Sequence, residues 1–267
     1  MAEYEIKDGV GIIPETETVL SDYAFSGKDV VSVVIPDSVK KIGECAFRNN
    51  KSLQSVVFSN SLEEIGENAF EGCESLTEVV LPGTLKKIQS CAFYGCTNLK
   101  SINLPVSLAE IGSNAFANCT SLTGIALPEK LKVIGKFAFD KCDSLTSLVV
   151  PKSTKTIGEY AFSECSSLTE ISILGPVKEL ESVCRQSSAL ESVTLGEGIK
   201  SISDDSFSEW VPTGIVTPDG IKMGKVVPIG ALKAINVPAG TIDYYKDLLP
   251  EKIHGLLVEY TPVAKKK

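Results

Sequence analysis

The chain has 267 residues, 43% hydrophobic and 22% charged, so it is long enough to bury a sizeable core and lacks the composition of a disordered segment. Twenty-six Lys and Arg stand against 34 Asp and Glu, a formal net charge of -8 that argues against general affinity for nucleic acid or anionic membranes. No apolar run approaches the ~20 residues a membrane-spanning helix needs, so no transmembrane segment is expected.

Residues 1–29 begin with Met1-Ala2-Glu3-Tyr4-Glu5-Ile6-Lys7-Asp8, which places acids where an export signal needs a basic stretch and an apolar one. A complete chain would therefore stay in the cytoplasm; a chain that has lost a leader would be secreted or lie on the cell surface. Ile13, Pro14, Leu20, Ala24 and Phe25 keep the same order as Ile35, Pro36, Ile42, Ala46 and Phe47 in the next stretch. Residues 1–29 thus read as a partial repeat and N-terminal cap.

From residue 30 to 210 the sequence is periodic. Phe47, Phe70, Phe93, Phe116, Phe139 and Phe162 recur at intervals of 23, each preceded by Ala. Between Phe70 and Phe93 the apolar slots are Leu76, Val79, Leu81, Leu85 and Ile88, and they recur as Leu99, Ile102, Leu104, Leu108 and Ile111. Cys184 takes the Phe slot of a shorter coil and Phe207 the next, so nine such slots run from Phe25. A period of this length marks a solenoid: one coil cannot bury its apolar face, but stacked coils merge their columns into one core.

Within each coil a segment such as Thr77-Glu78-Val79-Val80-Leu81 alternates, with Val79 and Leu81 on one face and Glu78 and Val80 on the other, which predicts a short strand. Pro82, Pro105, Pro128 and Pro151 end it, since proline has no N–H for a ladder. Gly43, Gly66, Gly112, Gly135 and Gly158 follow the Ile slot, where a bend or a positive φ is expected. Eight or nine coils at a strand spacing of about 4.8 Å give a stack roughly 40 Å long.

Eight cysteines are an even count, but Cys73, Cys96, Cys119, Cys142 and Cys165 again fall 23 apart. They occupy one slot of the repeat, filled by Asn50 and Ser187 towards the ends, and so suit a buried packing or hydrogen-bonding role and not a disulfide framework or a metal site. Cys45 and Cys91 lie in another slot, two before Phe, and are expected to be more accessible. After Trp210 the pattern degrades. Leu232, Ile235, Val237 and Pro238 restore strand slots, and Tyr244 to Leu249 suggests a short amphipathic helix, so residues 211–262 read as a degenerate repeat and C-terminal cap and 263–267 as a tail.

The run Ser-Leu-x-x-Ile/Val-x-Leu-Pro-x-x-Leu-x-x-Ile-Gly-x-x-Ala-Phe-x-x-Cys, complete from Ser121 through Cys142, resembles the BspA-like class of leucine-rich repeats. The coil from Asn98 to Cys119 departs only at Asn98, and that from Ser75 to Cys96 only at Gln89; the resemblance spans about residues 12 to 210. It implies a curved, right-handed leucine-rich-repeat solenoid with short parallel strands in each coil and an irregular cap. It also implies a bacterial protein of the cell surface, implicated in adhesion.

No catalytic residue is assigned: the only histidine, His254, lies in the cap, and no nucleophile–base constellation assembles around it. No cofactor or metal is expected. Function is sought in the outward columns instead. Val34, Val57, Val80, Asn103, Ala126, Val149, Ser172 and Thr194 form a row on the outer face of the strands, a flat and partly apolar contact surface. Lys40, Glu63, Lys86, Ala109, Lys132, Lys155, Lys178 and Lys200 form a second column, in which Lys132, Lys155, Lys178 and Lys200 have no opposite charge in their own row and can attract an anionic partner. The reading is a non-enzymatic protein-binding module, monomeric, that does not bind nucleic acid. The alternatives are an exported surface adhesin or glycan binder whose leader is absent, and a structural spacer; the rows show no aromatic platform that would favour a glycan.

Overall fold

The alternating segments form strands that pair in parallel from one coil to the next. In the computed structural model, which describes residues 4–216 and 222–261, Ser32–Val34 pairs with Ser55–Val57, Glu78–Val80 with Ser101–Asn103, and Ser147–Val150 with Glu170–Ile173 and then Ser192–Leu195. Register sets Val34 beside Val57, Val80 beside Asn103 and Val149 beside Ser172. A residue slot of the repeat is therefore a physical column of the solenoid.

One expected strand does not form. Backbone from Gly124 to Leu127 is not in a strand and makes no main-chain hydrogen bond to either neighbouring coil among the described residues. Gly124 and Ala126 lack the branched side chains that favour a pleated surface. On the preceding coil the Asn103 amide also departs from regular pairing: its oxygen accepts the Leu81 N–H at 2.6 Å and its nitrogen donates to the Leu81 carbonyl at 3.3 Å.

A second parallel sheet runs along an adjoining face, built from two-residue strands that begin with Val19–Leu20 and end with Thr156–Ile157. Glu179–Leu180 and Ser201–Ile202 continue it as a separate pair. The Leu-x-x-Ile spacing creates this sheet, because the Ile slot points inward and the residue before it outward.

Between the sheets lies the Phe column. Rings from Phe25 to Phe162 stack with centroids 5.1 to 5.7 Å apart and planes within 18° of parallel. Each such pair adds about 1 kcal/mol beyond the area it buries. The cysteine column backs it with directed bonds: the thiols of Cys73, Cys96, Cys119, Cys142 and Cys165 donate to the carbonyls of Phe47, Phe70, Phe93, Phe116 and Phe139 at 3.2 to 3.3 Å. Asn50 makes the same bond to Phe25, and Ser187 to Phe162. The slot selects a small side chain that can donate.

The glycines after the Ile slot do not have positive φ. They are needed because neighbouring coils press together there: a Cβ on Gly135 would lie 2.4 Å from the Ser113 nitrogen, and one on Gly158 2.3 Å from the Lys136 nitrogen. Positive φ falls instead two residues before the Phe slot, at Cys45, Asn68, Cys91, Asn114, Phe137 and Tyr160 among others, and two after it, at Asn49, Gly72, Gly95 and Asn118. The turn these residues make aims their N–H groups at the next coil, as in Cys45 N–H to Glu67 and Phe137 N–H to Glu159. Cys45 is also fully buried, against the expectation of an accessible thiol, while Cys91 is half-buried.

At the N-terminal end Glu5–Lys7 folds back antiparallel on Val10–Ile12, which pairs with Ser32–Val34. Past Trp210 the stack continues further than the degraded pattern suggests. Ala234–Pro238 pairs in parallel with Ser192–Leu195, and Leu257–Tyr260 with Ala234–Pro238, so the cap contains two more rungs. An antiparallel hairpin, Ser208–Val216 with Lys222–Pro228, is inserted before them. The helix expected near Tyr244 spans Ile242–Leu248 and buries Tyr245, whose hydroxyl donates to the Gly196 carbonyl. Residues 263–267, read as a tail, lie outside the described residues. Among the described residues no helix is long and apolar enough to cross a membrane.

Candidate interaction surface

The outward row on the strands is exposed from Val34 to Val149 and less so beyond it. Val34, Val57, Val80 and Val149 are between 56% and 64% exposed, Asn103 and Ala126 are exposed, and Ser172 and Thr194 half-buried. Two residues from the cap extend the row: Asn236 pairs with Thr194, and Val258 with Asn236. The Asn236 amide donates to the hydroxyls of Ser192 and Thr194 at 3.1 and 3.2 Å. Three valines thus lie together near the N-terminal end, and Val149 stands apart from them.

Val149 borders a groove of about 1120 Å³. The groove opens beside the coil whose strand is missing and runs along the corners that follow the strands, with Ile125, Leu127, Val149, Leu174, Pro176 and Pro238 as its apolar wall. Glu129, Lys152 and Glu197 supply its charges, and Tyr260 closes the far side. Sequence reading did not find it, because its residues come from different coils and from the cap. Its one local signal was Gly124 and Ala126 standing where other coils carry larger residues.

The lysine column is linked through the backbone in two stretches, with a break between Lys155 and Lys178. Lys132 N–H donates to Ala109, Lys155 N–H to Lys132 and Lys200 N–H to Lys178 through their backbones. Elsewhere charges are matched from coil to coil: Lys41 with Glu64, Arg48 with Glu71, Lys51 with Glu74, Lys87 with Glu110 and Lys136 with Glu159 form ion pairs, each 23 residues apart. Glu63 pairs with Lys86 in the lysine column itself, and that ammonium holds its carboxyl below the usual range. Lys132, Lys155, Lys178 and Lys200 are all exposed and make no ion pair among the described residues.

Several other reactive groups are tied into the structure. Burial pushes the Cys96 and Cys165 thiols up to about 12, far from the thiolate a nucleophile or metal ligand needs. His254 bonds the Leu249 carbonyl at 2.8 Å. Asp140 is displaced to about 6 by burial and by the nearby carboxylates of Glu164 and Asp143, with Lys141 opposing. No group of three or more His, Cys, Asp or Glu is arranged to hold a metal ion among the described residues.

Comparison with known proteins agrees with this geometry. Six copies of the BspA type leucine rich repeat region match residues 18–120 and 87–212. Among solved structures, the leucine rich repeat protein of T. pallidum is 29% identical with a TM-score of 0.52, covering 75% of this chain and 87% of that one. A leucine-rich repeat protein from Bacteroides ovatus ATCC 8483 shares the fold at 22% identity and a TM-score of 0.52, covering 94% and 71%. No curated protein matches the chain. With its repeats covered from residue 18 to 212 by that one pattern, the chain belongs to the BspA type leucine rich repeat family.

Proposed function

We propose that the chain is a non-enzymatic binding module that meets a protein partner on the outer face of its strands. The observation that carries this reading is the groove of about 1120 Å³ that Ala126 and Val149, the last exposed members of the strand row before the cap, border. Exposed apolar surface bordered by a few charges is typical of contact sites. Cys73, Cys96, Cys119, Cys142 and Cys165 donate to internal carbonyls and His254 bonds the Leu249 carbonyl, which favours a binding over an enzymatic reading.

A glycan partner is less well supported. The half-buried Phe137 and Tyr160 rings stack on each other at 4.8 Å, and Arg185 lies over Tyr160, so that aromatic surface is largely occupied. Partner recovery by the intact chain, compared with a variant carrying Asp at Val57, Val80 and Val149, tests the protein-binding reading. Selective loss of partners from the variant supports it; equal recovery from both sinks it.

A further inference from the structure

We propose that the lysine column and the groove together bind an extended polypeptide segment with one acidic and one apolar side, an inference that rests on the protein-binding reading above. The starting observation is a departure from the molecule's own pattern. Where a charged column runs along the stack, an acid on one coil usually faces a base on the next, as in Lys41–Glu64 and Lys87–Glu110. From Lys132 to Lys200 that matching stops: four lysines stand on consecutive coils, backbone-linked as Lys132–Lys155 and Lys178–Lys200 with the sheet interrupted between the two pairs, and paired coils lie about 5 Å apart. Stacked like charges repel, so the column favours any ligand that brings the missing anions.

The surroundings select the kind of anion. The stripe is one residue wide, with exposed Glu179 beside Lys178, and Glu129 and Glu197 on the groove nearby. A broad polyanion would meet those carboxylates, whereas a narrow extended chain can place its negative groups over the lysines alone. Lys152 lines the groove, and Lys155 follows it by three residues around the corner, so the two features belong to the same coils. The apolar wall of Leu127, Val149, Leu174 and Pro176 offers seats for aliphatic side chains, which a sulfated polysaccharide does not carry.

An extended peptide presents same-side residues about 6.7 Å apart, against a lysine pitch of about 5 Å. Over four lysines their flexible four-carbon stems absorb the mismatch. Glu129 and Glu197 then add selectivity: they repel a peptide whose acids enter the groove and accept one whose acids face the column.

The test uses the full chain and fluorescein-labelled short peptides followed by anisotropy. The probes are a peptide alternating Glu and Leu, one alternating Lys and Leu, oligo-glutamate and a heparin-derived oligosaccharide. The Glu-Leu peptide is expected to bind saturably and at least about tenfold more tightly at about 50 mM than at about 500 mM salt. Reversing Lys155→Glu and Lys178→Glu, both exposed, is expected to weaken it about tenfold with an unchanged circular dichroism spectrum. Oligosaccharide binding as tight as the peptide's, no saturation, or binding unmoved by the double reversal overturns the inference. If Val149→Asp abolishes peptide binding while the reversal does not, the strand-face reading survives and the lysine column falls. If neither change matters, both fall.

Discussion

Replacing Gly135 with alanine is expected to destabilise the chain by about 2 to 4 kcal/mol, although alanine is ordinarily the better residue. Gly135 does not need a positive φ, so backbone strain is not the cause. The new Cβ would stand 2.4 Å from the Ser113 nitrogen, 2.5 Å from the Gly112 carbonyl carbon and 2.8 Å from its oxygen, and ordinary contact begins at 3.4 Å. All three are backbone atoms of the preceding coil, so relief requires the coils to part by roughly 1 Å in an interior packed at crystal-like density.

That parting stretches the bond from Gly135 N–H to the Ile111 carbonyl, now 2.8 Å. Where a side chain fills this slot, Gln89 N–H reaches Ile65 at 3.1 Å and Ser203 N–H reaches Leu180 at 2.9 Å, while the five glycines make the equivalent bond at 2.8 to 2.9 Å, so the stretch depends on how closely the particular coils approach. Gly83→Ala serves as the control, because nothing lies within 4 Å of its would-be Cβ. There a small gain of up to about 1 kcal/mol is expected from the less flexible unfolded chain. Equilibrium urea unfolding by far-ultraviolet circular dichroism reads both variants, comparing midpoints and slopes. If Gly135→Ala unfolds within about 0.5 kcal/mol of Gly83→Ala, close coil approach does not explain the glycine column.

Two further outcomes follow from the buried columns. Cys119→Ala removes the thiol that donates to the Phe93 carbonyl at 3.2 Å and leaves a small void, at a cost of about 1 to 3 kcal/mol. Cys119→Ser should cost less than about half of that, because Ser187 already makes the equivalent bond to Phe162 at 2.9 Å; equal losses in urea unfolding would reject the hydrogen-bonding role of the slot. Asp140, raised to about 6 from the ordinary aspartate value of 3.8, should make stability fall as pH rises. Below the lower value both states hold the proton; between the two only the unfolded chain ionises; above about 6 the folded chain carries the full penalty of a poorly solvated carboxylate. Asp140→Asn is therefore expected to stabilise by about 1 kcal/mol at pH 7.5, after allowance for solvent, and by almost nothing at pH 3.5, read as the shift in thermal or urea midpoint. A gain that is equal at both pH values would remove the electrostatic explanation.

The repeat columns are legible in the sequence because one coil advances the chain by one rung, so identical spacing becomes identical depth. Phe70, Cys96, Leu99 and Ile111 could each be placed in the core from the 23-residue interval alone, and Val80 and Lys155 on the outside by the same rule. The second sheet was present in the Leu-x-x-Ile spacing but carried only two residues per strand, too few to show an alternation. Past Trp210 the inserted hairpin broke the interval: Leu232 to Pro238 still showed the strand slots of one further rung, whereas the last, Leu257–Tyr260, left no repeat signal.

Features set by distances between coils were not readable at all. Whether a glycine answers to φ or to a backbone 2.4 Å from its missing Cβ depends on how tightly neighbouring turns press together. The interruption at Gly124 to Leu127 depends on bonds that main chains make or fail to make, and the groove on residues as far apart in sequence as Ile125 and Tyr260. Lys132 to Lys200 could be recognised as a column from their spacing; that acids in adjoining columns leave them unpaired is a fact of three-dimensional reach. Periodicity determines which residues share a rung position, and only the packed stack decides which of them touch.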